Sequence, residues 1–110
     1  MEALLYFDKP SSISSVTFSG LVDVGAYIMP PKLIEIWGGE SVSSMRLLKR
    51  ITPQQPTKEN PVHMQQYEVA FKPAKEKLFK VVVTPLNKLP VWHRGKGDKA
   101  WTFVDEIFVN

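Results

Sequence analysis

Apolar and polar residues alternate with a period of two along most of this chain. Val16 and Phe18 stand among Ser15, Thr17 and Ser19, and Ile34 and Ile36 flank Glu35. Tyr67, Val69 and Phe71 alternate with Gln66, Glu68 and Lys72, while Phe79, Val81 and Val83 alternate with Lys80 and Thr84. Trp101, Phe103, Ile107 and Val109 carry the pattern to the C-terminus, with Asp105 interrupting it. A period of two sends successive side chains to opposite faces, which marks half-buried strands and not a 3.6-residue helical stripe. Nine prolines and six glycines punctuate these stretches. The pattern predicts strands near 3–8, 13–19, 32–38, 45–51, 65–72, 77–85 and 101–109. The stretch Lys72–Lys77 reads as a tight connection, because Pro73 fixes φ at its start. Seven short strands at this spacing predict an all-β fold, an antiparallel β-sandwich.

Three connections exceed hairpin length: 20–31, 52–64 and 85–100. Loops of about a dozen residues in a compact domain are commonly functional or disordered. With 110 residues the chain is one domain's worth, and its 44% hydrophobic and 23% charged residues are those of a globular protein. The absence of cysteine excludes disulfides, thiolate metal sites and cysteine nucleophiles. No apolar run reaches the roughly 20 residues of a membrane-spanning helix. Ala3–Phe7 is too short for a signal peptide and Asp8 follows at once, so any export signal is expected outside this sequence. The net charge of +3 is unevenly placed: residues 77–104 hold six basic side chains against one acidic, Asp98. Such a surplus is ordinarily a solvated face, and it lacks the clustering of a nucleic-acid footprint.

Candidate chemistry is sparse. His63 and His93 are the only histidines, and no Gly-x-Ser-x-Gly elbow surrounds the serines at 11–15, so no catalytic residues are assigned and the domain alone is not expected to be an enzyme. Asp105 and Glu106 form the only adjacent acidic pair. In a regular strand one of them turns toward the core side or toward a sheet end, as a calcium ligand or, in the structural alternative, as a buried carboxylate held by backbone N–H groups or a basic partner. No Asp-x-Asp-x-Gly loop accompanies the pair, so no metal and no cofactor is expected. The third loop, Leu89–Trp101, is the richest, with Trp92, His93, Arg94, two glycines and several cations. A tryptophan face with hydrogen-bonding neighbours suits the flat C–H face and hydroxyls of a sugar. The structural alternative is that Trp92, and Trp101 still more, plug the end of the sandwich. The first loop, Val22–Met29, is apolar: exposed it is a contact surface, packed down it closes the sandwich. His63, between Val62 and Met64, reads as ordinary surface.

Several strings in order carry a family likeness. Ile13–Phe18, Lys32–Ile36, Gln66–Pro73, Leu78–Pro85 and the closing Trp92-His93…Phe103–Val109 resemble the coagulation-factor type C, or discoidin, family. Within it, Val22–Pro30 and Leu89–Ile107 are similar to the domains C-terminal to the catalytic barrel of bacterial β-N-acetylhexosaminidases, the chitobiases. The resemblance covers nearly the whole chain. It implies a galactose-binding-like jelly roll with ligand loops at one end, here 20–31 and 85–100. Sugar-binding relatives often have an arginine after the strand that here ends at Ser19, where this chain has Gly20 and Leu21. Their calcium site often uses the glutamate of the last strand, here Glu106, with other ligands from an N-terminal loop that this sequence begins too late to contain.

The resemblance further implies that residues 1–110 are a non-catalytic, carbohydrate-binding-type accessory domain from the C-terminal part of a larger glycoside hydrolase. The implied partners are a glycan or N-acetylhexosamine-containing oligosaccharide and an upstream catalytic domain of the same chain. No nucleic acid is expected, and the domain is expected to be monomeric. The implied location is secreted, periplasmic or at a bacterial cell surface. On that reading Trp92 supplies a stacking face or its indole N–H, His93 and Arg94 bond hydroxyls, and Tyr27 or Asp23 forms the opposing wall. The alternatives are a structural module packed on the catalytic barrel, and a phospholipid-binding discoidin domain using the apolar first loop with the basic third one.

Overall fold

The computed structural model describes all 110 residues, Met1–Asn110. The chain is all-β and antiparallel. Five strands, β1 (Glu2–Val22), β2 (Leu33–Gly39), β3 (Arg46–Ile51), β4 (His63–Thr84) and β5 (Phe103–Val109), form one sheet in the order β3-β2-β4-β1-β5. The seven expected strands are five, because two pairs are fused. The segments 3–8 and 13–19 belong to β1, and 65–72 and 77–85 belong to β4.

A proline lies at each join. The ladder of β1 on β4 pairs Tyr6 with Leu78 and resumes at Ser11 with Glu76; it then pairs Ile13 with Ala74 and resumes at Ser15 with Ala70. Pro10 falls in the first irregularity and Pro73 in the second. A residue without an N–H cannot serve a central ladder, and a bulge relieves that demand as well as a turn does. The expected tight connection at 72–77 is therefore a bend within a continuous strand.

Length shows how sharp the bend is. A straight strand of 21 residues spans roughly 70 Å. The longest dimension of the whole domain is 48 Å. The paired strands therefore fold back, and the sheet becomes sandwich-like. One layer holds β3, β2, the end of β4 and the start of β1; the other holds the start of β4, the end of β1, and β5. Tyr67 and Val69 from the first half of β4 share one buried cluster with Val81 and Val83 from its second half, completed by Val16, Phe18, Ile34 and Ile36. Ile13, Ala74 and Phe79 fill the inside of the bend, with Phe7 edge-on to Phe79 at 6.0 Å.

The outer edge at β3 is charged. Arg46, Lys49 and Arg50 are exposed, and Arg50 makes two bonds, of 3.0 and 2.7 Å, to Glu35 opposite it on β2. Cations on an edge strand discourage pairing with another chain.

The acidic pair behaves differently from expectation. Phe18 pairs with Ile107 but Ser19 with Asp105, so Glu106 is the extra residue of a bulge. It adopts a left-handed φ of 38°, and its N–H bonds Asp105 Oδ1 at 2.9 Å. The bulge breaks the alternation, and both carboxylates face water. Neither turns to the core, which corrects the buried-carboxylate expectation. A left-handed residue with a Cβ is strained, and the exposed Glu106 side chain gives little packing in return. Glu106→Gly should therefore raise stability by about 0.5–1 kcal/mol, and Glu106→Val should lower it by about 1–2 kcal/mol. Urea midpoints of the two variants check both signs.

Candidate functional site

All three long loops gather at the end of the domain opposite the bend. The first leaves β1 at Asp23, whose backbone exchanges two bonds of 2.9 Å with Ile28. Asp23 Oδ1 also accepts the Ala26 N–H at 3.3 Å, which closes a 3-10 turn over Val24–Ala26. Tyr27 leaves that turn in a left-handed conformation, φ 67° and ψ 20°. The first loop then lies along the third. The Trp101 N–H donates to the Tyr27 carbonyl at 2.8 Å, and the Met29 N–H donates to the Trp101 carbonyl at 2.9 Å. Beneath this short ladder Val22, Val24, Met29, Leu89 and Ala100 form a separate buried cluster. The first loop is thus packed down, and its apolar residues close the sandwich.

His93 fastens the same two loops. Its Nε2 lies 2.7 Å from the Val24 carbonyl, and its Nδ1 accepts the Gly95 N–H at 2.9 Å. A carbonyl only accepts and an amide N–H only donates, so the hydrogen sits on Nε2 and the ring is neutral. The side chain is buried, and Tyr27 packs edge-on against it at 5.2 Å. Both ring nitrogens are spent on backbone, so His93 does not offer the hydroxyl contact expected from sequence. It positions its neighbours instead. Gly95 is required here, since a Cβ at that position would come within 2.7 Å of Tyr27 Cζ and its hydroxyl.

Trp92 and Arg94 flank this fixed ring. Arg94 Nη2 donates to the Gly25 carbonyl at 3.2 Å, and Arg94 is otherwise exposed. With Val24, Thr57, Lys58 and Glu59 they line a cleft of about 330 Å³. Trp92 is 39% exposed and Trp101 55% exposed, so neither plugs the sandwich. Lys99 Nζ lies 4.3 Å above the Trp101 ring, a cation–π contact at the surface.

The structure therefore brings Trp92, His93 and Arg94 together but gives them a different opposite wall. Tyr27 packs against His93 and the buried cluster beneath it. Asp23 is committed to its turn. Thr57, Lys58 and Glu59, from the second loop, stand in their place. Sequence reasoning missed this contribution, since nothing in Thr52–Met64 signals which loops it meets. Cations and a carboxylate, Lys58 and Arg94 with Glu59, mix both signs of charge around the indole.

Tyr67, which the sequence shows only as one apolar position of an alternating strand, is buried in the main cluster. It packs on Phe18 with ring centroids 5.4 Å apart, and its hydroxyl is buried without a hydrogen-bond partner. Burial pushes its pKa up from 10.0 to about 12. The chain matches no family model and no curated protein.

The raised phenol has a definite pH signature. Below pH 10 Tyr67 is neutral whether the chain is folded or unfolded, and its contribution to stability is complete. Between pH 10 and about 12 the unfolded chain ionises first, so stability falls as pH rises through that window. The loss should reach on the order of 2 kcal/mol by the upper end. Urea unfolding of the parent and of Tyr67→Phe across this window checks it, because the phenylalanine variant should lack that part of the decline.

Proposed function

We propose that this domain is a non-catalytic binding module that takes carbohydrate in the cleft beside Trp92. The observation that carries the reading is the partly exposed indole at the cleft wall, held next to a locked His93 and flanked by Arg94, Lys58 and Glu59. A sugar presents an apolar C–H face to an aromatic ring and hydroxyls to charged and amide groups. Aromatic anchors on a preorganised support are where binding energy concentrates. Here the support is backbone-bonded through His93, so the indole needs little ordering when a ligand arrives.

The resemblance to the accessory domains of bacterial β-N-acetylhexosaminidases supplies the class of sugar, an N-acetylhexosamine-containing oligosaccharide. In that role the domain is a jelly-roll module that keeps an upstream catalytic domain near its glycan, outside the cell, by raising effective concentration. Within the cleft His93 takes no part in acid–base work, because both of its nitrogens are bonded to backbone. A phospholipid role drawing on the first loop loses its support, because Val22, Val24 and Met29 are buried.

Calorimetric titration with N-acetylglucosamine oligomers tests the proposal. Trp92→Ala should weaken binding by roughly tenfold or more, while Lys96→Ala, on the solvated face, leaves it unchanged. The fold should stay intact, with a stability change well below the roughly 3–5 kcal/mol lost when a buried aromatic is truncated. A variant that unfolds easily yet binds normally would sink the reading.

A further inference from the structure

The edges of the two layers are not guarded alike. β3 closes one side of its layer with exposed cations. β5, at an edge of the other layer, is interrupted by the Glu106 bulge, with Asp105 and Glu106 facing water. The first part of β1 closes the far side of the β3 layer, since only β4 pairs with it. It has neither defence. Ala3–Phe7 holds no charge and no proline, and the ladder from Glu2 to Tyr6 runs without a bulge. Ala3 and Leu5 pack against the core, while Leu4 and Tyr6 are 56% and 68% exposed on the outer face. An open, regular, apolar edge of this kind is a template for another strand.

The free hydrogen-bonding groups of that edge can be assigned. Met1 and Val83 exchange two bonds, of 2.8 and 2.9 Å. Opposed residues in an antiparallel ladder alternate between bonded and non-bonded pairs. Ala3 and Leu5 therefore bond β4, and the N–H and C=O groups of Glu2, Leu4 and Tyr6 point away from it. Donors and acceptors in this alternation are matched by another extended backbone. The protein itself supplies one, because a two-fold axis pairs the edge antiparallel with its own copy.

Charge selects the register. An axis at Leu5 sets Glu2 opposite Asp8 at both ends, like charge against like. An axis at Tyr6 sets Glu2 opposite Pro10, which has no N–H to give. An axis at Leu4 sets Leu4 on Leu4 and Glu2 opposite Tyr6, with no like charges opposed. It also sets Phe7 of each copy opposite Met1 of the other. Met1, Val83, Trp101 and Val104 line an apolar gap of about 240 Å³, which spans the two layers on this side. Phe7 of the second copy, on the inner face of the added strand, then stands beside that gap.

We infer that the protein forms a two-fold dimer by joining β1 to β1 about Leu4, so that two copies of the β3-β2-β4-β1 layer become one continuous sheet. This departs from the monomer expected from sequence. The joint uses none of the residues that line the Trp92 cleft.

Sedimentation velocity of the full chain from micromolar to millimolar concentration tests the inference. The joint is short, so the dimer should form with a dissociation constant on the order of 100 μM. Leu4→Lys and Leu4→Glu each bring like charges face to face, and each alone should weaken association by about tenfold or more. Mixed in equal amounts, the two variants should associate again, because opposite charges then meet. In the parent, amide exchange at Leu4 and Tyr6 should slow as concentration rises, while Ala3 and Leu5, already bonded to β4, stay unchanged. A parent that remains monomeric up to millimolar concentration overturns the inference. So does a Leu4→Lys variant that dimerises like the parent, which would put the contact on another surface. A mixture of the two variants that stays monomeric would rule out the axis at Leu4 and with it the inference.

Discussion

The antiparallel ladder between β1 and β4 is the constraint on which the rest of the domain depends. Each strand gives one half of its length to one layer and the other half to the opposite layer. The bend that makes this possible sits at two bulges, each of which accommodates a proline. Because the same two strands run through both layers, the main cluster of Val16, Phe18, Ile34, Ile36, Tyr67, Val69, Val81 and Val83 is a fold of one surface onto itself. The bend also decides where the loops go. It consumes one end of the molecule, and the three long connections collect at the other.

At that other end, support and display are divided among neighbouring residues. Val22, Val24, Met29, Leu89 and Ala100 supply an apolar floor, and His93 ties the first loop to the third through backbone atoms alone. Trp92 and Arg94, on either side of His93, are left to face the cleft. Adjacent residues in a tight loop thus alternate between holding the structure and meeting a ligand. The second loop adds Thr57, Lys58 and Glu59 to this cleft and, through Gln55, bonds the first loop at Pro30 and Pro31.

Much of this was legible in the residues. The alternation of Val16 with Phe18 and of Tyr67 with Val69 located the inward faces, and the three long loops fell where the chain lacks period-two pattern. The fusion of strands was not legible, because proline signals a missing N–H without saying whether a turn or a bulge absorbs it. The exposure of both Asp105 and Glu106 depends on a left-handed glutamate, a conformation no residue type there announces. The role of His93 was hidden for another reason: its partner is the carbonyl of Val24, and every residue offers one. Trp92 and Trp101 show that aromatic burial is a preference of populations, overridden here by smaller residues that fill the end of the core first.

The long ladder has a kinetic consequence. Its closest rung in sequence joins Val22 to His63, and its most distant joins Glu2 to Val82. Only β2 and β3 form a hairpin between successive strands, across the short segment Glu40–Met45. The chain must therefore close large loops, at an entropic cost, before the pairing that defines the fold can repay it. Domains dominated by such non-local pairing fold on the millisecond-to-second scale. For this one, the β2–β3 hairpin is the single local element able to form early, and β1 remains an unpaired strand until β4 has emerged and found it.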